Sequence, residues 1–201
     1  MSDGAFTLYG DRRSGNCLKI VYAADLLDLD YRFVDVDIMK GESRTPEFLA
    51  VNAAGQVPAV DFGGGRTLAQ SNAVLVYLAE GSSLLPADAF QRAKVLEWLF
   101  WEQYSHEPYV AVCRFQMVYE GKPAEKRDGW RVTRAEAALD HMERRLAGKS
   151  FLVGTRLTIA DISLLAYTRL AGEGGFDLAT RPNLTAWISR CEDALAIASA
   201  G

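Results

Sequence analysis

The feature that most constrains this chain is an abrupt change of hydrophobic period. Strand and helix patterns alternate through the first eighty residues, and from Ala89 onward no strand pattern survives. Phe6-Thr7-Leu8-Tyr9 reads as a short strand ended by the turn residues Gly10 to Gly15. Asn16 to Leu27 places apolar residues at three- and four-residue steps, which predicts a helix, and Tyr31 to Asp37 alternates as a strand does. The connection between the two strands is long enough for a parallel crossover. Thr45-Pro46 predicts the cap and first position of a short helix. Val57 to Phe62 and Thr67 to Ala69, joined by Gly63-Gly64-Gly65-Arg66, predict a hairpin, and Asn72 to Glu80 predicts an amphipathic helix entered through Gln70-Ser71. The expected order is βαβ, a short helix, then ββα.

The remainder reads as helices only. Ala89–Met117 is a long, aromatic-rich helical stretch that Pro108 should bend. Val118–Asp128 reads as a loop, Gly129–Leu146 as a charged helix, Ile162–Leu170 as an apolar run and Pro182–Ala200 as a last helix. Thr158-Ile159-Ala160-Asp161 has the form of a capping box, with Leu157 placed as its staple residue. The fold class expected is an α/β domain over residues 1–81, a linker over 82–88 and an all-α helical bundle over 89–201.

Composition closes off several classes. The 201 residues are 49% hydrophobic, enough for a real core. A net charge of -4 argues against nucleic acid or an anionic membrane surface as the main partner. No apolar run approaches the roughly 18 residues of a membrane span, and Met1–Phe6 does not read as a signal peptide. Cys17, Cys113 and Cys191 are scattered without a CxxC, which suggests reduced thiols in a cytosol. Two histidines far apart, His106 and His141, point to no metal site.

Four places could carry chemistry. Pro58 cannot donate to a ladder, so Val57-Pro58 is either an ordinary edge-strand start or a cis bend. A cis bend would turn the Val57 N–H and C=O outward to an extended, peptide-like ligand. Gln70-Ser71 is either a plain helix cap or a carboxylate site made by the Ser71 N–H, its hydroxyl and the helix dipole. Ser14-Gly15-Asn16 is either turn chemistry or a hydroxyl placed at a helix N-terminus to stabilise a developing anion. Cys17 beside it is either a packed small residue or a thiol of depressed pKa. Tyr104, Tyr109 and Arg114 are either helix packing or the wall of a ligand cleft.

Taken together, the segments resemble the cytosolic glutathione transferases, over nearly the whole chain. Phe48 to Val60 is similar to the family's Asn-Pro-x-Gly-Lys-Val-Pro-x-Leu segment, with Asn52-Ala53 in place of Asn-Pro. Gln70 to Leu78 is similar to Glu-Ser-x-Ala-Ile-x-x-Tyr-Leu, with Gln70 in place of the more frequent Glu. Leu157 to Asp161 is similar to Leu-Thr-x-Ala-Asp.

The resemblance implies a thioredoxin-like first domain, a cis bond before Pro58, and glutathione as co-substrate without a metal. It implies that the Val57 backbone pairs with the cysteinyl unit, that Gln70 and Ser71 hold the γ-glutamyl end, and that Gln56, assisted by Lys40 and Arg44, reaches the glycyl end. Ser14 matches the catalytic hydroxyl of the serine-type classes. Asn16 matches a position where one bacterial class carries a cysteine and another an asparagine that contacts the sulfur. Cys17 falls one residue past that cysteine position. The acceptor side is assigned to Arg13, Tyr104, Tyr109 and Arg114. The expected protein is a cytoplasmic homodimer that activates the glutathione thiolate for attack on a small hydrophobic electrophile. The alternatives are a glutathione-dependent disulfide or peroxide reductase on the same fold, or a non-catalytic binding relative.

Overall fold

A computed structural model describes residues 6–200; Met1 to Ala5, most of the stretch read above as no signal peptide, lie outside the described residues, as does Gly201. The chain divides into two compact units, the first ending at Glu80 and the second starting at Gly81.

The first unit contains β1 (Phe6–Gly10), α1 (Gly15–Leu26), β2 (Tyr31–Asp35), α2 (Pro46–Val51), β3 (Ala59–Asp61), β4 (Thr67–Ala69) and α3 (Ser71–Ala79). The sheet order is β2-β1-β3-β4. β1 and β2 are parallel, with Leu8 opposite Phe33, as the α1 crossover requires. β3 runs antiparallel to β1 and β4 antiparallel to β3. Alternation along β1 separates two cores. Phe6 and Leu8 pack with Ile20, Ala24, Val60 and Val74. On the other side Tyr9 joins Val36, Phe48 and Ala59. Thr45 caps α2, its Oγ1 accepting from the Phe48 N–H at 3.3 Å, and Pro46 stands at the helix start.

The third strand is shorter than the Val57–Phe62 run. The ladder to β1 opens at Ala59, opposite Tyr9, just after Pro58, which has no N–H to donate. At the other end the Phe62 N–H closes the glycine turn onto the Arg66 carbonyl at 2.9 Å.

The second unit contains α4 (Ala89–Trp101), α5 (Glu107–Val118), α6 (Gly129–Leu146), α7 (Ile159–Thr168) and α8 (Pro182–Leu195). The expected single bent helix over Ala89–Met117 is two helices joined by a π-helical turn at Glu102–His106. Pro108 sits in the first turn of α5. Its missing N–H and its ring clash prevent regular α hydrogen bonding back across that turn, so the backbone widens there rather than merely curving. The last helix stops at Leu195, not Ala200. Ala196 adopts a left-handed conformation (φ 52°), and the Ile197 N–H returns to the Glu192 carbonyl at 3.1 Å, a Schellman-type end. Residues 82–88 attach to this unit: Leu84 and Leu85 are buried, and the Leu84 carbonyl accepts from the Ile159 N–H at 3.0 Å.

The capping box at α7 is present. Every residue of α7 is buried, so its first turn cannot borrow water for its unpaired groups. Asp161 supplies the partners. One carboxylate oxygen accepts from the Leu152 N–H (2.8 Å) and from Trp187 Nε1 on α8 (2.9 Å). The other accepts from the Thr158 N–H and hydroxyl, both at 3.0 Å. Burial pushes the Asp161 carboxyl above its ordinary range, against the pull of these four hydrogen bonds. Asp161→Ala should leave four buried donors short of an acceptor and lower stability by about 3 kcal/mol or more. Asp161→Asn, which keeps one carbonyl oxygen, should lose less. Urea unfolding midpoints check this, and an Ala variant as stable as the parent would contradict it.

Candidate active site

The sheet register decides which loops meet. β1 ends at Gly10, β3 begins beside it at Ala59, and β4 ends at Ala69 opposite Ala59. The loop after β1, the segment before β3 and the turn after β4 therefore leave the sheet at one end. Ser14 and Asn16, Gln56 to Pro58, and Gln70 and Ser71 lie on these three segments.

The loop after β1 is braced by Asp11, whose carboxylate is largely buried. It accepts from the Arg13 N–H (2.8 Å), Arg13 Nε (3.2 Å) and Arg13 Nη2 (2.9 Å), while the Asp11 carbonyl accepts from the Ser14 N–H (2.9 Å). The Arg13 guanidinium is thus folded onto Asp11, with its side chain 52% exposed. Ser14 is the N-cap residue of α1, but its side chain makes no cap hydrogen bond. The Ser14 side chain lies close enough to the Cys17 thiol to favour its thiolate form.

Cys17 does not have the depressed pKa that its helix-start position suggested. It has no accessible surface, and burial raises its thiol to about 11, overriding the Ser14 and Asp11 hydrogen bonds that favour the thiolate. Its sulfur fills the space over Gly10, where an added Cβ would lie 2.7 Å from Sγ. Cys17 is a packing residue.

Asn16 and Ser71 join α1 to α3. The Ser71 hydroxyl donates to Asn16 Oδ1 at 3.0 Å and accepts from Lys19 Nζ at 3.4 Å. Gln70, not Ser71, is the N-cap of α3, and it stands at φ 69°, a left-handed conformation uncommon outside glycine. Such backbone strain gathers at functional sites. Ser71 is buried and its hydroxyl serves Asn16, not a cap. Lys19 escaped the sequence analysis. The available signal was its place on the same helical stripe as Gly15, Tyr22 and Ala23, all of them buried.

The Val57-Pro58 bond is cis, and Val57 lies outside the β1–β3 ladder. Asn52 shapes the segment before it: its Nδ2 donates to the Gln56 carbonyl at 2.7 Å and its Oδ1 accepts from the Ala54 N–H at 3.1 Å. Arg44 lies over Gly55, with Nη1 donating to the Ala54 carbonyl at 3.1 Å. Gly55 has a left-handed φ of 62°, which favours glycine, and an added Cβ would have to displace the end of the Arg44 side chain, whose Nη1 would lie 2.5 Å away. Lys40 is exposed and ion-paired with Asp37 at 3.0 Å.

The acceptor-side residues of the second unit differ among themselves. Tyr104, in the π-helical turn, is 81% exposed. Tyr109 is half-buried in an edge-to-face contact with Trp130. The Arg114 guanidinium is buried and bound to Glu173 through Nε (2.8 Å) and Nη2 (2.6 Å), which ties α5 to the turn at Ala171–Gly174. Among the described residues no cluster of three His, Cys, Asp or Glu is arranged to hold a metal, and no helix is long and apolar enough to cross a membrane.

Known proteins now bear on this geometry. Residues 4–80 match the family model "Glutathione S-transferase, N-terminal domain" and residues 116–190 match "Glutathione S-transferase, C-terminal domain". The chain belongs to the glutathione S-transferase family. It is 32% identical over 192 residues to glutathione S-transferase 3 of Zea mays, covering 90% of this chain and 86% of that one. It is 29% identical over 188 residues to disulfide-bond oxidoreductase YfcG of Escherichia coli (strain K12), covering 86% and 83%. The crystal structure of a glutathione S-transferase from Pseudomonas fluorescens superimposes with a TM-score of 0.90 at 46% identity, covering 94% and 95% of the two chains.

For a glutathione S-transferase family member with a Cys17 thiol this high, alkylation at neutral pH should find little or no reactive thiol in the native state and three after unfolding, since all three cysteines are free and buried. The stability sign follows. Folded Cys17 holds its proton more tightly than the unfolded chain does, so its contribution is complete below pH 9 and falls as pH rises toward 11. The loss approaches about 3 kcal/mol for two units. Unfolding of the parent and of Cys17→Ala from pH 8 to 11 checks it; the variant should lose less stability over that window.

Proposed function

We propose that this chain is a glutathione transferase that binds glutathione at the shared end of the first unit's sheet and activates its thiol toward a small hydrophobic electrophile. The observation that carries this is the convergence on one sheet end of a cis Val57-Pro58 segment, the strained Gln70-Ser71 helix start, and Ser14 and Asn16 at the start of α1. In this reading the Val57 backbone pairs with the cysteinyl unit, and Ser71 and Gln70 take the γ-glutamyl carboxylate and amine. Gln56, with Lys40 and Arg44, takes the glycyl carboxylate.

The chemistry needs a thiolate. A free thiol with pKa near 8.5 is only a few per cent ionised at pH 7. Each unit of depression needs about 1.4 kcal/mol of preferential thiolate binding. One charge-assisted hydrogen bond, about 1.5–3 kcal/mol, supplies one to two units. In this reading the Ser14 hydroxyl, the Asn16 amide and the N-terminal end of α1 provide it. The thiol loses its proton, the sulfur lone pair forms a C–S bond to the electrophilic carbon, and the displaced electron pair leaves with the leaving group. In this reading Tyr104 and Tyr109, which keep side-chain surface, serve the acceptor side, and Arg114, buried against Glu173, does not. The working form is a homodimer in the cytosol, a compartment suited to three unpaired thiols.

A second reading, a glutathione-dependent disulfide or peroxide reductase, is favoured by the similarity to disulfide-bond oxidoreductase YfcG; in it Asn16 contacts the sulfur. With Cys17 packed away, such a reaction would run through two glutathiones. The test is titration with glutathione, following the ultraviolet thiolate band against pH in the parent, Ser14→Ala and Asn16→Ala. A band present near or below pH 7 and shifted up by about one to two units in Ser14→Ala supports the transferase reading. Loss only in Asn16→Ala moves the sulfur contact to that residue and favours the reductase. No binding at millimolar glutathione excludes both and leaves a binding relative of the fold.

A further inference from the structure

Lys19 is fully buried in the middle of α1, where a lysine adds nothing to apolar packing that leucine or methionine would not. Its surroundings give it a task. Nζ lies 3.4 Å from Ser71 Oγ, and Ser71 Oγ lies 3.0 Å from Asn16 Oδ1. An ammonium has three donors and no acceptor, so Ser71 accepts from Lys19. The positive charge polarises the hydroxyl and drives its proton away from Nζ, toward the nearest acceptor. The same field favours the carbonyl end of the Asn16 amide on that side and disfavours its NH2 end, which would bring a further positive group toward the ammonium. With Oδ1 committed to Ser71, the Asn16 Nδ2 donors face away from Ser71.

The direction of that amide matters to an anion. A donor beside a thiolate stabilises it and lowers its pKa, whereas a carbonyl oxygen in the same place destabilises it and raises the pKa. We propose that Lys19 is a positioning residue of the sulfur site: through Ser71 it sets the polarity of the Asn16 amide, so that Asn16 offers NH2 and not oxygen to the glutathione sulfur. The inference rests on the proposed glutathione site and adds to it a residue that touches neither sulfur nor electrophile. It also makes the contribution of Asn16 conditional on a charge three residues further along α1. Asp11, held by Arg13, the Cys17 thiol and Tyr22 are ionisable groups of the same loop and helix, and α3, packed beside α1, carries Tyr77 with Glu80 as its C-cap; all stay as they are in the variants below.

The experiment is a coupling measurement on the full chain with glutathione. The pH midpoint of the bound-glutathione thiolate band is read at saturating glutathione for the parent, Lys19→Met and Lys19→Arg, each with and without Asn16→Ala. Lys19→Met keeps the length and removes the charge, and Lys19→Arg keeps the charge and the donors. The expected result is a midpoint about one pH unit higher in Lys19→Met, a tenfold loss of thiolate at the pH where the parent is half ionised. Lys19→Arg should restore the parent midpoint to within a few tenths. Asn16→Ala should raise the midpoint in the parent and move it little, or downward, in Lys19→Met. Ser71→Ala breaks the relay with Lys19 in place, so it tests the same coupling if Lys19→Met does not fold: Asn16→Ala should lose its effect there too. A folded Lys19→Met with the parent midpoint, or an Asn16→Ala shift that is the same in every background, overturns the inference and leaves the glutathione reading standing. A parent protein that binds no glutathione overturns both.

Discussion

The hydrogen bond from Ser71 to Asn16 organises the site, because it joins the starts of the two helices that pack side by side on the first unit's sheet. Each helix start brings unpaired backbone N–H groups and the positive end of a peptide dipole. Separately they are ordinary helix ends. Held together by this bond, the two helix starts lie side by side, with Ser71 on one and Ser14 and Asn16 on the other. The sheet register places the cis Val57-Pro58 segment at the same end. Asn52 and Arg44 hold the chain before it through hydrogen bonds to the Gln56 and Ala54 carbonyls.

The helical unit answers a different demand. α7 is buried along its whole length, so its start needs partners from within the protein. Asp161 meets that demand with four accepted hydrogen bonds, one of them from Trp187 on α8. Arg114 and Glu173 make a comparable tie between α5 and the turn at Ala171–Gly174. Both are polar groups taken out of water only because specific partners await them. An arginine placed by sequence on the acceptor side is thus engaged in holding its own unit together, while Tyr104 and Tyr109 keep side-chain surface for other contacts.

Much of this was legible in the sequence because it depends on neighbours within a few residues. The Thr45-Pro46 start of α2, the capping box at Thr158 and Asp161, the glycine hairpin and the bounds of α6 all follow from local spacing. The segments around Val57-Pro58 and Gln70-Ser71 were legible as a family resemblance, and the N-terminal family model matches the unit that carries them. Other features depend on residues far apart in the chain. Cys17 has a raised pKa because it is sealed beneath Gly10, and helix-start position alone suggested the opposite shift. The π-helical turn before Pro108 replaced a simple bend because backbone groups, not periodicity, decide how a helix accommodates a missing donor.

What the sequence determined by itself is the succession of elements, the two-part architecture and the identity of the residues available for chemistry, because hydrophobic period, caps and turn residues act locally. What only the tertiary structure decided is which polar groups are buried and whom they face. Lys19 looks like any helical lysine until α3 packs beside α1 and sets Ser71 3.4 Å from its ammonium, 52 residues away along the chain. Hydrogen-bond direction and burial belong to the packed state, since they are set by groups that folding alone brings within 3 to 4 Å of one another.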